Sequence, residues 1–144
     1  VHPSLRFLAL VPDFPLPTKQ ARAALPAAVS REDAVYNLSR AALLLRALET
    51  GDPEALRAAL KDRLHQPWRF PLVPGAEALA ARVTALGADG CFLSGAGPTL
   101  MCVYRAPGFS RKTEELLSRE FPRFSAVELA PCAEGAVIER SQEI

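Results

Sequence analysis

The sequence feature that most limits the possible folds is a pair of short apolar runs joined by a glycine-rich turn. The runs are Cys91–Leu93 and Leu100–Tyr104, and the turn between them begins Ser94-Gly95-Ala96-Gly97-Pro98. Two apolar runs separated by a few turn residues are typical of adjacent antiparallel strands. Glycines on both sides of an alanine permit positive φ values and the close approach of a ligand or of another segment. The stretch therefore predicts a β-hairpin, and its loop is either a plain turn or one that presents N–H groups to an anion.

Strand and helix signals precede this hairpin. The apolar run Leu5–Val11 ends at a proline and predicts a first strand. Thr18 is expected to cap a short helix over residues 19–25. Ser30 begins a long helix that ends at Gly51. Apolar residues recur along it at helical spacing, at Val35, Leu38, Ala42, Leu45 and Leu48.

A second helix follows at once, because Asp52 can cap it and Pro53 suits its first turn. Its apolar stripe reaches Leu64, and we expect the two helices to form an antiparallel hairpin. Further helices are predicted over residues 77–86 and 110–121, with a last strand over residues 124–129. The tail either adds a short strand at residues 136–138 or is loose.

With the helical hairpin set aside, the predicted order is strand, helix, strand, strand, helix, strand. This split βαβ order gives an antiparallel four-stranded sheet. We therefore predict an α+β, ferredoxin-like architecture, with helices on one face of the sheet and an inserted helical hairpin. This fold does not specify a function, because it occurs in enzymes, ligand-binding regulators and RNA-binding modules.

Composition narrows the function classes. Lys and Arg number 17 against 16 Asp and Glu, so we expect no nucleic acid and no anionic membrane as a partner. Three cysteines and two histidines, with no Cys-x-x-Cys pair, argue against a disulfide framework and a zinc site. No apolar run approaches the roughly 20 residues of a membrane span, and the start does not resemble a signal peptide. A cytoplasmic location is expected, with no metal site in this chain.

Two polar groupings are candidate binding residues. Thr18 and Arg22 place a hydroxyl and a guanidinium on one side of a helix start, where N–H groups favour anions. The alternative is a surface cap with a solvated arginine. In the second grouping, which also contains His65, Arg69 can hold a carboxylate or phosphate bidentately. Its alternative is a salt bridge to Asp62 or Glu77.

Four motifs together resemble one family. They are Thr18–Arg22 (Thr-Lys-Gln-Ala-Arg), Val29–Asn37, Asp62–Arg69 (Asp-Arg-Leu-His-Gln-Pro-Trp-Arg) and Leu93–Thr99 (Leu-Ser-Gly-Ala-Gly-Pro-Thr). In this order they are similar to the C-terminal half of bacterial homoserine kinase, of the GHMP small-molecule kinase superfamily. The similarity runs from about Leu5 to the end, and the last motif matches the third signature of the superfamily.

The resemblance implies transfer of the γ-phosphoryl group of ATP, with Mg²⁺, to the side-chain hydroxyl of L-homoserine. The product, O-phosphohomoserine, lies on the route to threonine. Carried over to this chain, Thr18 is the catalytic residue near the reacting groups. Arg22 and Arg69 bind the amino-acid head group. The active-site loop consists of Ser94, Gly95, Ala96 and Gly97, and it closes the site beside the ATP-phosphate loop.

In this family the ATP-phosphate loop is a Pro-x-x-x-Gly-Leu-Gly-Ser-Ser segment of the N-terminal half, and residues 1–144 contain no such segment. We therefore interpret residues 1–144 as a single substrate-side domain that lacks the N-terminal GHMP domain and the main ligands for ATP and Mg²⁺. Phosphoryl transfer depends on positioning and charge stabilisation, so the chain by itself is expected to be inactive. A homodimer is a further arrangement that the resemblance leaves open.

A reading from another class is a stand-alone ferredoxin-like module that binds an amino acid for regulation, or that serves only for oligomerisation through its exposed sheet face. A Gly-Leu-Gly-Ser-Ser segment upstream would favour the kinase.

Overall fold

In the computed structural model, the part of the chain that is described forms one four-stranded antiparallel sheet. The strands are β1 (Arg6–Pro12), β2 (Gly90–Leu93), β3 (Leu100–Tyr104) and β4 (Phe124–Leu129). Their order across the sheet is β2-β3-β1-β4, and each neighbouring pair is antiparallel. The structure describes residues 1–132 and residue 134, so the predicted strand at residues 136–138 lies outside the described residues. The predicted split βαβ topology is confirmed.

Six helices connect the strands in the described part of the chain. They are α1 (Thr18–Ala23), α2 (Arg31–Thr50), α3 (Pro53–Ala59), α4 (Gln66–Arg69), α5 (Ala76–Ala85) and α6 (Phe109–Glu120), with a single 3₁₀ turn at Phe70–Leu72 after α4. Helix α4 and the 3₁₀ turn after it were not predicted from the sequence. The Ser30 hydroxyl accepts the N–H of Asp33 at 3.0 Å, which satisfies one of the free donors at the start of α2. Gly51 ends this helix at a φ of +70°, in the left-handed region that suits glycine.

Two local predictions are wrong. Thr18 is the first residue of α1 rather than its cap, because Pro17 occupies the cap position with extended backbone angles. The second helix of the hairpin was expected to reach Leu64 but ends at Ala59. Beyond that point the Asp62 carboxylate accepts N–H groups further along the chain and starts α4 instead.

The main core lies between one face of the sheet and helices α5 and α6. Because successive strand residues point to opposite faces, Leu8 and Leu10 of β1 share this face with Leu100 and Cys102 of β3. The helices contribute Leu79, Val83, Phe109, Leu116 and Leu117, which are all buried. The predicted inward positions of Leu116 and Leu117 are thereby confirmed.

The helical hairpin of α2 and α3 packs against the opposite face. Ala47 of α2 and Leu56 of α3 are fully buried and cluster with Leu5 and with Val103 of β3. The two helices of the plait and the inserted hairpin therefore lie on different faces of the same sheet.

Most of the apolar stripe predicted on α2 does not lie in this contact. Val35, Leu38 and Leu45 are 58%, 73% and 74% exposed. Leu48 is the member of the predicted stripe that packs on the second core cluster, together with Leu44 and Ala47, which the stripe did not include. Within the described residues, α2 thus keeps an apolar face that no other element covers.

A buried carboxylate connects the hairpin to the sheet. Asp89, directly before β2, is only 4% exposed and accepts hydrogen bonds from Arg105 at 2.7 and 2.9 Å. Arg57 of α3 donates a third bond at 3.2 Å. A buried charge needs such partners, because its removal from water is otherwise unfavourable.

This arrangement predicts that Asp89→Ala lowers the free energy of unfolding by about 2–3 kcal/mol, since it leaves two guanidinium groups without their partner. Asp13→Ala is the matched control. Asp13 pairs with Arg123 at 2.8 Å, but the two side chains are 60% and 58% exposed, so the expected loss is below about 1 kcal/mol. Chemical denaturation of the three proteins measures both values. Equal losses for the two variants would contradict the role assigned to Asp89.

Candidate functional site

Strand pairing brings two of the predicted site segments to one end of the sheet. In the antiparallel ladder Leu10 of β1 lies opposite Leu100 of β3. The chain that leaves β1 therefore starts beside the chain that enters β3. The first leads into α1, with Thr18 and Arg22, and the second is the glycine loop.

The glycine loop has the positive φ values that its sequence predicts. Gly95 has a φ of +58° and Gly97 a φ of +83°, both in the left-handed region. Two hydrogen bonds hold the loop: Ser94 N–H donates to the Thr99 carbonyl at 2.9 Å, and Gly97 N–H to the Ser94 carbonyl at 3.0 Å. The N–H groups of Gly95 and Ala96 have no acceptor among the described residues.

The two glycines face different surroundings. A Cβ on Gly97 would lie 3.2 Å from a methyl group of Leu93 and 3.7 Å from one of Leu16, so Gly97 packs inside the domain. A Cβ on Gly95 would meet nothing within 4 Å. Gly95 is therefore the position at which the loop can be approached from outside.

Arg69 connects α1 with this loop. Its Nε donates to the Ala21 carbonyl at 3.1 Å, and its Nη1 lies 3.4 Å from the Gly95 carbonyl. Among the described residues it has no ion pair, so the alternative of a salt bridge to Asp62 or Glu77 is wrong for this arrangement. The other terminal nitrogen of the guanidinium, Nη2, has no hydrogen-bond acceptor among the residues that the structure describes.

Asp62 holds the segment that carries Arg69. Its carboxylate accepts Asn37 Nδ2 at 2.5 Å, His65 N–H at 2.8 Å and Gln66 N–H at 2.6 Å. Partial burial by itself would raise the pKa of Asp62, but the three hydrogen bonds outweigh it and lower that pKa below 3.8. The carboxylate is thus ionised at neutral pH, and it holds the N–H groups of His65 and Gln66, the residue before α4 and its first residue.

Two polar side chains of this network were not singled out from the sequence. Asn37 uses both ends of its amide, since its Oδ1 also accepts the Arg63 N–H at 2.9 Å. Gln66 Oε1 accepts the N–H of Leu93, the last residue of β2, at 3.1 Å. Both lie inside motifs that carry the family resemblance, and their place in those motifs is the sequence feature that could have marked them as candidates.

Thr18 and Arg22 are the remaining predicted site residues, and His65 belongs to the second polar grouping without an assigned role. Thr18 and Arg22 are exposed and one helical turn apart, and neither side chain has a partner among the described residues. The His65 Nε2 lies 3.9 Å from Asp62, and its Nδ1 is buried with no hydrogen-bond partner in the described part of the chain. The structure brings α1, the Asp62–Arg69 segment and the glycine loop together, with Arg69 in contact with the other two.

Other candidate chemistries find little support in the described residues. They contain no group of three or more His, Cys, Asp or Glu side chains that could hold a metal ion. None of the described helices is both long and apolar enough to cross a membrane. A hydrogen bond to Cys102 and burial raise the pKa of the Cys91 thiol, which disfavours a nucleophilic thiolate there.

Sequence comparison places these features in a family. A family model described as GHMP kinases C terminal matches residues 44–123, which is more than half of the chain. A homoserine kinase of Moorella thermoacetica is 41% identical over 138 residues, covering 94% of this chain and 47% of its own length. A homoserine kinase of Clostridium botulinum is 37% identical over 140 residues, with coverages of 96% and 47%. The chain spans about half the length of these curated relatives.

Solved structures with similar folds agree in architecture. A crystal structure of homoserine kinase from Cytophaga hutchinsonii superposes with a TM-score of 0.80 at 23% identity, over 90% of this chain and 42% of that one. A crystal structure of 4-(cytidine 5′-diphospho)-2C-methyl-D-erythritol kinase gives 0.53 at 19% identity, over 85% and 41%. At these identities the likeness concerns the fold. The match over more than half of its residues shows that the chain belongs to the GHMP kinase C-terminal family.

Proposed function

We propose that residues 1–144 are the substrate-side domain of a longer kinase that transfers the γ-phosphoryl group of ATP to the side-chain hydroxyl of L-homoserine. The product is O-phosphohomoserine, an intermediate on the route to threonine. Relatives named homoserine kinase, at 41% and 37% identity over nearly the whole chain, support this choice of substrate. The structural observation that carries the proposal is the double contact of Arg69 with α1 and the glycine loop.

The charges at this end of the sheet suit an amino-acid substrate. Arg57, Arg82 and Arg105 each form ion pairs with carboxylates elsewhere in the domain. Arg22 and Arg69 form none with the described residues, so they are available for the substrate carboxylate. A guanidinium can hold a carboxylate through two parallel hydrogen bonds, which also orients it.

In this proposal each group has one task. Arg22 binds the carboxylate of homoserine, and Arg69, oriented by the Ala21 carbonyl, holds the head group beside the loop. The Thr18 hydroxyl, which caps no helix, lies near the reacting groups. The loop closes the site with the N–H groups of Gly95 and Ala96, which have no acceptor among the described residues and suit an anionic phosphoryl group. Transfer then depends on positioning and on charge stabilisation.

ATP and Mg²⁺ are the co-substrate and metal of this proposal. The described residues do not form a metal site of their own. In this proposal, the main ligands of ATP and Mg²⁺ belong to the part of the whole protein outside this chain, which we take to be an N-terminal GHMP domain. The uncovered apolar face of α2 is compatible with such a partner. A homodimer and a cytoplasmic location stay predictions.

The stand-alone regulatory or oligomerisation module is the alternative. Membership of a kinase family and relatives of about twice this length favour the kinase.

The first prediction tests the reaction. The whole protein is expected to form O-phosphohomoserine from L-homoserine and Mg-ATP, whereas this chain by itself is expected to show no turnover and no micromolar affinity for Mg-ATP. Product formation followed by phosphorus NMR and calorimetric titration of the chain measure the two outcomes. L-serine, shorter by one methylene, is the control substrate. A whole protein that leaves homoserine unmodified, or a chain that binds Mg-ATP tightly, contradicts the proposal.

A second prediction concerns Arg22. In the whole protein, Arg22→Ala is expected to lower kcat/KM for homoserine, which corresponds to a loss of about 2–5 kcal/mol of transition-state stabilisation. The melting temperature should change little, because the side chain is exposed and unpaired among the described residues. Arg69→Ala is expected to reduce both activity and stability, since its guanidinium also contacts backbone carbonyls.

Arg46→Ala is the control, because Arg46 is an exposed arginine outside the site. The Arg22 assignment is wrong if Arg22→Ala and Arg46→Ala have the same steady-state kinetics.

A third prediction separates a functional loop from a plain turn. Gly95 and Gly108 both have positive φ values, +58° and +76°, and a Cβ on either meets nothing within 4 Å. Gly95→Ala and Gly108→Ala should therefore lose similar stability, roughly 1 kcal/mol each. Only Gly95→Ala should slow phosphoryl transfer in the whole protein, by at least about tenfold, or about 1.4 kcal/mol.

Melting curves and turnover numbers from the same preparations decide the question. Gly97 is a poorer probe, because its new Cβ would disturb Leu93 within the domain. If Gly95→Ala has normal turnover, the loop is only a structural turn and the third prediction is wrong.

A further inference from the structure

We propose that Gln66 is a positioning residue for the glycine loop, a role that rests on the proposed kinase function of the loop. Its side-chain Oε1 accepts the N–H of Leu93 at 3.1 Å, one residue before the loop begins at Ser94. The residue does not contact substrate in this proposal. It acts through the backbone of β2 and the loop.

The position of β2 explains why an acceptor is needed there. β2 is an edge strand of the sheet, so alternate N–H groups point away from β3. Leu93 is only 2% exposed, and its N–H points outward, because the next residue, Ser94, makes the bond to β3 through the Thr99 carbonyl. Without Gln66 this buried donor would have no partner, which is unfavourable.

The loop is thereby held from both sides. Ser94 N–H is bonded inward to Thr99 at 2.9 Å, and Leu93 N–H is bonded outward to Gln66. The next residue of the loop, Gly95, accepts a hydrogen bond from Arg69 through its carbonyl. Loss of the bond between Leu93 and Gln66 therefore frees the end of β2 and, with it, the exposed loop residue Gly95.

Helix α4 couples this bond to Arg69. Gln66 is its first residue and Arg69 its last, and residues three apart lie on the same side of a helix. One helical turn therefore carries both contacts, one to the end of β2 at Leu93 and one to the loop at Gly95. The turn is itself anchored, because Asp62 accepts the N–H of Gln66 at 2.6 Å and also bonds Asn37 of α2.

The test compares two replacements in the whole protein. Gln66→Met keeps the length of the side chain but removes the acceptor, and Gln66→Glu keeps an acceptor oxygen. We expect Gln66→Met to lower kcat by at least about tenfold, with a much smaller change in KM for homoserine, because the loop acts on the transferred group rather than on the head group. Gln66→Glu should restore most of the turnover.

A second readout follows the loop itself. Amide hydrogen exchange at Leu93 and Ser94 is expected to be at least about tenfold faster in Gln66→Met than in wild type. Thr113→Val is the matched control, since it also removes a buried side-chain bond to backbone, from Thr113 Oγ1 to the Phe109 carbonyl in α6. It should lower the melting temperature without changing exchange at the loop or the kcat.

The outcomes separate this inference from the proposed function. Wild-type kcat and wild-type exchange in Gln66→Met overturn the positioning role, as does a loss of kcat that Thr113→Val matches. If the wild-type whole protein does not phosphorylate homoserine, the proposed function fails, and the exchange measurement still decides whether Gln66 holds the loop.

Discussion

The antiparallel pairing of β1 with β3 is the constraint on which the rest of the structure depends. β1 is an inner strand, and its pairing places Leu10 opposite Leu100. A shift of one residue would turn Leu8 and Leu10 away from α5 and α6, so burial of these side chains fixes the register. The same register sets α1 beside the glycine loop. Core packing and the geometry of the candidate site are thus two consequences of one strand pairing.

The details of the site depend on polar contacts rather than on the core. Helix α4 has four residues, one of which is a proline, and a helix of that length is not stable by itself in water. It forms because the Asp62 carboxylate accepts the N–H of Gln66, its first residue, and that of His65 directly before it, and is itself held by a bond from Asn37. These bonds lower the pKa of Asp62 despite its partial burial, so the anchor is charged under ordinary conditions. A partly buried, hydrogen-bonded carboxylate therefore fixes the segment that carries Gln66 and Arg69.

Gly95 of the glycine loop and Arg22 of α1 are both exposed. Arg22 has no ion pair with the described residues, and the loop glycine has free space in front of it. The apolar residues Val35, Leu38 and Leu45 on α2 are also uncovered. Open polar groups and an uncovered apolar face are features of a domain that completes its site against another part of a protein, which agrees with relatives of about twice this length.

Much of the architecture could be predicted because its signals are local. The caps at Ser30 and Asp52, the stop at Gly51 and the turn between β2 and β3 are decided by a few neighbouring residues. The order of the elements then led to the split βαβ sheet. The motifs predicted the segments of the candidate site, and the local error among them is Thr18, which is the first residue of α1 rather than its cap.

The sequence by itself thus determined most of the elements, their order along the chain and the antiparallel sheet that they form, because periodicity, caps and turns act over short distances. It did not indicate α4, which depends on the Asp62 carboxylate. Only the tertiary structure decided which face of α2 is buried and what Arg69 contacts. A long side chain such as Arg69 can reach several acceptors, and its choice of the Ala21 and Gly95 carbonyls depends on where α1 and the loop lie in space. For the same reason, the acceptor role of Gln66 became visible only once the edge of β2 was in place.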